Sequence, residues 1–200
     1  MQLYRKVRKV ELLFAGLAKE INKFSAKSGL HCLPGCGLCC FKPDIEATVL
    51  EFLPMAYRLF MDNKAEEMYE KLSQNSDRSM CMLLVPLTTE NRTGMCDRYN
   101  ERGLICRLFG YSAMIGKNHK PVLVTCKTIK DNQAEQYRMV SERIAAGSDV
   151  PVISNYYQQL RNIDSSLGTA FYPINVSMKK SIEVVLSYYS YRKRPRRKSA

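Results

Sequence analysis

The sequence predicts a mainly α protein in which helices surround a small metal-binding centre of cysteine-rich loops and short strands. Apolar residues recur every three or four positions near both ends of the chain, which is the pattern of amphipathic helices. All eight cysteines lie between residues 32 and 126, in segments whose glycines and prolines favour loops. We therefore expect helices to cover a cysteine-bearing middle region.

The composition is that of a soluble globular protein, with 46% hydrophobic and 25% charged residues in a chain of 200. No run of about 18 apolar residues occurs, so we expect no membrane span. We divide the chain into four parts: an N-terminal amphipathic helix (1–30), a cysteine-cluster core (31–130), a helical C-terminal cover of the same domain (131–191) and a disordered basic tail (192–200).

The first helix shows its apolar face at Val7, Val10, Phe14, Leu17, Ile21 and Phe24, and Ser28-Gly29 ends the pattern. A basic start followed by apolar residues resembles a secretory signal. Glu11 and Lys19 interrupt the apolar stretch, however, and no clear cleavage site follows. We expect a cytoplasmic protein, in which clustered cysteines are metal ligands or catalytic groups more often than disulfides.

Further elements follow from local signals. Thr48 and Glu51 form a capping box ahead of a helix that Pro54 should kink or shift, and a polar helix continues to about Leu72. Residues 82–87 and 121–126 are candidate strands. Three later helices are marked by Tyr137, Val140 and Ile144, by Tyr156 or Tyr157 with Leu160 and Ile163, and by Ile182, Val185, Leu186 and Tyr189.

The net charge of +12 is concentrated at the end of the chain, where residues 192–198 carry six basic side chains and no acid. This segment has no apolar periodicity, which predicts disorder. Two interpretations stay open for it: a contact with nucleic acid or an acidic membrane surface, and a solvated terminus.

The stretch "HCLPGCGLCC" places four cysteines in nine positions, and four more follow. Thiolates select zinc, copper(I) or iron–sulfur clusters, and eight ligands suit two four-cysteine sites. Adjacent side chains tend to diverge, so the last two cysteines of the stretch suggest two neighbouring sites or a polynuclear one. The alternative is that some cysteines are buried small apolar residues. The candidate metal ligands are Cys32, Cys36, Cys39, Cys40, Cys81, Cys96, Cys106 and Cys126.

Three other residues are candidates for supporting the site. Arg107 follows a cysteine and could neutralise thiolate charge, or it could be an ordinary surface arginine. Tyr99 and Phe109 could pack over the site and limit access of water.

The cysteine pattern resembles the YkgJ-like cysteine-cluster family, named for a CxxCxxCC motif and proposed to chelate zinc or iron. "CLPGCGLCC" matches that motif with one extra residue in the first gap, and "IEATVLEFL", "CMLL", "GMCDRY" and "RGLICRLFGYS" follow in family order. Gly103 and Gly110 stand where the family usually has prolines. The resemblance implies a metal-binding module, and a related motif occurs in flagellin lysine methylase.

Three function classes remain open, and the sequence does not decide whether the protein is an enzyme. We favour a metal-binding protein that holds zinc or an iron–sulfur cluster in a structural or sensing site. The second class is an iron–sulfur redox or protein-modifying, methylase-like enzyme. The third is a nucleic-acid-binding module whose cysteines hold the fold and whose tail at 192–198 makes the contact.

Overall fold

A computed structural model describes residues 2–88 and 93–195. Within these ranges the chain is mainly helical, which confirms the predicted class. The helices are α1 (Leu3–Ser28), α2 (Leu53–Met61), α3 (Ala65–Ser73), α4 (Leu104–Leu108), α5 (Lys127–Asn132), α6 (Ala134–Ala145), α7 (Ile153–Ile163), α8 (Ser165–Gly168) and α9 (Ile174–Tyr189). The strands are β1 (Glu46–Thr48), β2 (Leu84–Thr88), β3 (Thr93–Cys96), β4 (Ser112–Ile115), β5 (Pro121–Val124) and β6 (Phe171–Pro173).

Helix α1 has the predicted bounds and the predicted apolar face. Val7, Val10, Phe14, Leu17 and Phe24 are buried, and Ile21 is partly buried. Gly29 ends the helix in the left-handed conformation, with φ 71°, and its amide donates a hydrogen bond to the carbonyl of Ser25. Glycine adopts this conformation without the steric cost that a Cβ would impose.

The predicted capping box forms, but it caps a short 3₁₀ helix at Val49–Phe52. Pro54 stands in the first turn of α2, where its missing amide hydrogen costs nothing. Of the two predicted effects of this proline, the shifted helix start is the one observed. The helix predicted to continue to about Leu72 is instead two helices, α2 and α3, and Asn63 with φ 60° lies in the turn between them.

The strands form three antiparallel pairs, β1 with β6, β2 with β3 and β4 with β5. The candidate strands at 82–87 and 121–126 correspond to β2 and β5. The β1–β6 pair joins the segment that follows the first four cysteines to the segment that leads into α9. The three helices predicted from late apolar periodicity are α6, α7 and α9.

Two clusters of buried apolar side chains organise these elements. The larger, which we call the first core, joins α1, α2, α7 and α9, with Phe52, Leu160 and Met178 fully buried in it. The smaller second core contains Leu30 and Leu123 together with residues of α5 and α6. The cysteine-bearing segments contact both cores.

Part of the basic tail is described. Arg192 stacks its guanidinium on the ring of Tyr188, 4.3 Å from its centroid, and Arg194 lies over Phe60 at 4.6 Å. Residues 196–200 lie outside the described residues, and disorder of the tail stays a prediction. In the part of the chain that the structure describes, no helix has both the length and the apolar character needed to cross a membrane.

Candidate metal centre

The loop that carries the first four cysteines is seated on the β2–β3 hairpin. The amide of Gly94 donates a hydrogen bond of 2.9 Å to the carbonyl of Gly35. Gly37 has φ 60°, and a Cβ at this position would lie 2.8 Å from the carbonyl oxygen of Gly94. Glycine is needed here both for the backbone conformation and for this close approach. The contact brings the loop to the end of β3, where Cys96 lies.

One end of the loop meets the first core. The amide of Cys81 donates to the carbonyl of Cys40 at 2.9 Å, and Leu84 donates to Cys81 at 3.0 Å. Leu84 in turn pairs with Cys96 across the β2–β3 ladder. Cys81 is buried in the first core, and Cys40, Cys96 and Cys106 pack against it. Backbone hydrogen bonds and apolar packing therefore gather these four cysteines.

The other end of the loop is tied to the second core. The amide of Cys32 donates to the hydroxyl of Tyr111 at 2.9 Å. The backbone of His31 exchanges two hydrogen bonds with the side chain of Gln133, which stands between α5 and α6. Cys126 precedes α5, and its sulfur accepts a hydrogen bond from the amide of Ile129 at 3.4 Å. Cys32 and Cys126 are thereby brought to the same side of the molecule.

Cys39 and Cys40 lie at the end of the loop that meets the first core, and their sulfur atoms are 3.9 Å apart. The two side chains do not diverge as the tendency of adjacent residues would suggest. All eight cysteines are free thiols, and Cys32 and Cys39 are exposed whereas Cys81 is buried.

Five of the thiols resist ionisation in this arrangement, because the pKa values of Cys32, Cys39, Cys40, Cys96 and Cys106 are raised. The hydrogen bond with Cys40, and then burial, raise the pKa of Cys39, and burial and neighbouring Glu51 raise the pKa of Cys106. For Cys40, a hydrogen bond from Cys39 lowers the pKa. Interaction with Cys81 and burial raise it by more, so that the pKa of Cys40 is about 12. A soft cation that displaces the protons would relieve this cost, because thiolate is the form that binds metal.

Arg102 is a cation within electrostatic reach of three of these thiols. Its charge lowers the pKa values of Cys32, Cys96 and Cys106, against the larger raising effect of burial. The guanidinium lies 3.8 Å from the ring centroid of Tyr99. Its buried Nε has no hydrogen-bond partner among the described residues. A donor without a partner beside a group of thiols fits a centre that becomes anionic when the thiols ionise.

The three supporting residues predicted from sequence have different surroundings. Arg107 donates to the backbone carbonyls of Arg102 and Asn100, at 3.0 and 2.6 Å, and lies over the ring of Phe14. Burial lowers its pKa to about 10. Tyr99 is 58% exposed and serves as the platform for Arg102. Phe109 is partly buried and directly follows α4.

Sequence reasoning missed the role of Glu51 beyond its capping box. This carboxylate is fully buried and accepts hydrogen bonds from the Thr48 amide at 2.7 Å and the Ile105 amide at 2.9 Å. Because Ile105 precedes Cys106, the carboxylate fixes the short helix that carries this thiol. A Cβ on Gly103 would lie 2.8 Å from the Phe52 ring, which explains glycine at this position. The capping box was a visible signal for Glu51, whereas nothing local indicated Arg102 or Tyr111.

The donor set fits a thiophilic metal or cluster, since the side chains brought together are sulfur donors with a cation beside them. Within residues 2–88 and 93–195, no three His, Cys, Asp or Glu side chains stand close enough to hold one ion as arranged. Ligation would therefore require the cysteine side chains to move inward from their present positions.

Comparison with known proteins gives one match. Residues 31–139, more than half of the chain and all eight cysteines, match the family model CxxCxxCC, described as a "putative zinc- or iron-chelating domain". Neither the curated proteins nor the solved structures give a significant match. On the extent of this match, the chain belongs to the CxxCxxCC family.

Proposed function

We propose that the protein chelates zinc or an iron–sulfur cluster through its eight cysteines. The observation that supports this proposal is that free thiols from segments up to 94 positions apart lie within electrostatic reach of one another, Cys32 near Cys126 and Cys40 near Cys81 and Cys96. Such a density of soft ligands has little use in packing, because cysteines that only pack are inert and buried, and two of these are exposed.

The residues around the thiols suit the same chemistry. Arg102 would offset the negative charge that accumulates when several thiols ionise. Tyr111 and Gln133 anchor the start of the loop through its backbone, which leaves the Cys32 sulfur free to bind metal. Eight free thiols suit a reducing compartment, so we place the protein in the cytoplasm as part of this proposal.

The exposure of Cys32 and Cys39 supports one alternative, an iron–sulfur enzyme that acts in redox chemistry or protein modification. A cluster with ligands at the surface can exchange electrons with a partner or offer an open iron position. Reversible reduction of the bound cluster would favour this alternative, whereas closed four-cysteine zinc coordination would favour a structural or sensing role.

The test is the metal content of protein purified without oxygen. Zinc, iron and acid-labile sulfide are measured per chain. Zinc and iron together should amount to at least about one equivalent, because thiolate sites of this kind hold metal tightly. Cys39→Ser should lower the content, and Ser148→Ala, an exposed position that follows α6, should leave it unchanged. Less than about half an equivalent in the wild-type protein would contradict the proposal.

A further inference from the structure

The eight thiols are not equally related to the two cores. Four of them belong to the first core: Cys81 is buried in it, and three partly buried cysteines pack against it. Cys126 packs instead against the second core, as does Tyr111, whose hydroxyl holds the start of the loop at Cys32. The chain thus presents thiols from two directions, and the loop at 32–40 runs between them.

Contacts among the thiols follow the same division. The amide of Cys81 donates to the carbonyl of Cys40 at 2.9 Å, and the Cys40 thiol lies within electrostatic reach of Cys81 and Cys96. Cys106 has Cys40 and Cys39 as its thiol neighbours. Cys96 lies within electrostatic reach of Cys39.

The remaining thiols have neighbours of their own. The Cys32 thiol lies within electrostatic reach of Cys36, Cys39 and Cys126, and no thiol of the first core is among its main neighbours. Cys32, Cys36 and Cys126 therefore need one further ligand to complete a four-thiol set. Cys39 is the thiol that meets both groups, and the group on the first core already has four members without it.

We propose that the chain holds two adjacent four-cysteine centres, a proposal that rests on metal chelation as the protein's function. The inner centre, on the first core, comprises Cys40, Cys81, Cys96 and Cys106. The outer centre, between the loop and the second core, comprises Cys32, Cys36, Cys39 and Cys126.

In this arrangement the adjacent residues Cys39 and Cys40 bind different centres. Cys39 belongs to the outer centre and Cys40 to the inner one. The 3.9 Å between their sulfur atoms sets the centres side by side. Arg102 faces members of both sets, Cys96 and Cys106 of the inner set and Cys32 of the outer set. Its positive charge would offset negative charge in both centres.

The two centres differ in how their ligands are held. The inner thiols are fixed by the first core and by backbone hydrogen bonds, so little ordering remains when metal binds. Three outer thiols lie on the glycine-containing loop, and two of them are exposed. The inner centre should therefore fill first and release its metal last.

The first experiment uses the wild-type chain. Metal-free protein receives increasing Zn²⁺, free thiols are alkylated at each step, and mass spectrometry reports which cysteines are protected. The first equivalent of Zn²⁺ should protect the four inner thiols, and the second should protect the four outer ones. Protection that rises together at all eight, or that joins Cys126 with Cys81, would overturn the division.

Two variants provide an independent check. Cys81→Ser and Cys126→Ser should each lower zinc content from about two equivalents per chain to about one, since each removes one ligand of a four-thiolate site. Loss of all zinc in both variants, with circular dichroism unchanged, would indicate one shared centre and refute the division alone. A wild-type protein that binds no zinc and no iron would refute the proposed function itself. If Cys81→Ser fails to fold, the alkylation series on the wild-type chain still decides.

Discussion

The inner and outer cysteines differ in what positions them. The inner set lies on short elements that the first core and the β2–β3 ladder hold in place. The outer set depends on a loop whose fixed points are few: the Gly35–Gly94 hydrogen bond and the anchors to Tyr111 and Gln133. The fold can thus position one half of the cysteine ligands, whereas the other half becomes ordered when metal binds.

Metal removal should change stability more than any other test, and it should affect the outer cysteine loop more than the helical body. Strong chelation should lower the melting temperature by about 10 °C or more, because the binding energy of structural metal is folding energy. Hydrogen exchange should accelerate most at 32–40 and least in α9, and readdition of zinc should reverse both changes. An unchanged melting curve after confirmed metal removal would show that the fold does not depend on metal.

Glu51→Ala should weaken the region that holds the inner thiols by about 3 kcal/mol. The substitution leaves the amides of Thr48 and Ile105 without their buried acceptor, and each lost partner costs about 1–3 kcal/mol. Urea unfolding measures the change. Glu46→Ala is the matched control, since this exposed carboxylate makes only an ion pair of 3.6 Å with Arg78, worth less than about 1 kcal/mol.

The penalty of Glu51→Ala should also depend on pH. Burial raises the pKa of Glu51, so the carboxyl holds its proton more tightly in the folded state than in the unfolded chain. The stabilisation from this linkage is complete below the ordinary pKa of the group and is lost as pH rises through the raised value. The difference in unfolding free energy between wild type and variant should therefore shrink as the pH rises, and a difference that grows would contradict this account.

Two glycine-to-alanine substitutions should change the free energy of unfolding in opposite directions. One lies in the cysteine loop and the other in the helical body. Gly37→Ala should destabilise the metal-free protein by about 2 kcal/mol, because the position has φ 60° and a Cβ would meet the Gly94 carbonyl. Gly16→Ala in α1 should stabilise it by about 0.5–1 kcal/mol, because nothing lies within 4 Å of the added Cβ. Equal effects in thermal melts would mean that the loop is not seated on the hairpin.

The smallest expected effect distinguishes two arginines. Arg102→Gln should lower zinc affinity about tenfold, as loss of a group that supports metal ligands does. Arg107→Gln should lower zinc affinity less than Arg102→Gln does and should lower stability, because the Arg107 guanidinium bonds backbone carbonyls and packs on Phe14 while it reaches Cys106 alone among the thiols named for Arg102. Competition with a chromogenic chelator measures both affinities. A larger loss of affinity for Arg107→Gln than for Arg102→Gln would assign the neutralisation of thiolate charge to Arg107, which is one of the two interpretations that the sequence left open.

The features that the sequence predicted depend on neighbours along the chain. Helix α1, its end at Gly29 and the capping box of Glu51 follow from side chains a few positions apart. The missed features depend on segments that are distant in sequence. The contact between Gly37 and Gly94, the bond from Ile105 to Glu51 and the placement of Arg102 arise only when the loop, the hairpin and α4 pack together. The eight ligands could be proposed from composition and spacing, but their division into sets required the two cores.

X-ray absorption at the edge of the bound metal tests the central claim most directly. For zinc, the account predicts a nearest shell made of sulfur alone, at about 2.3 Å, as in four-cysteine sites. For iron, it predicts a sulfur shell with a second shell of iron, as in a cluster. A nearest shell of nitrogen or oxygen at about 2.0–2.1 Å would contradict the claim, because it would place the metal on residues other than the eight cysteines.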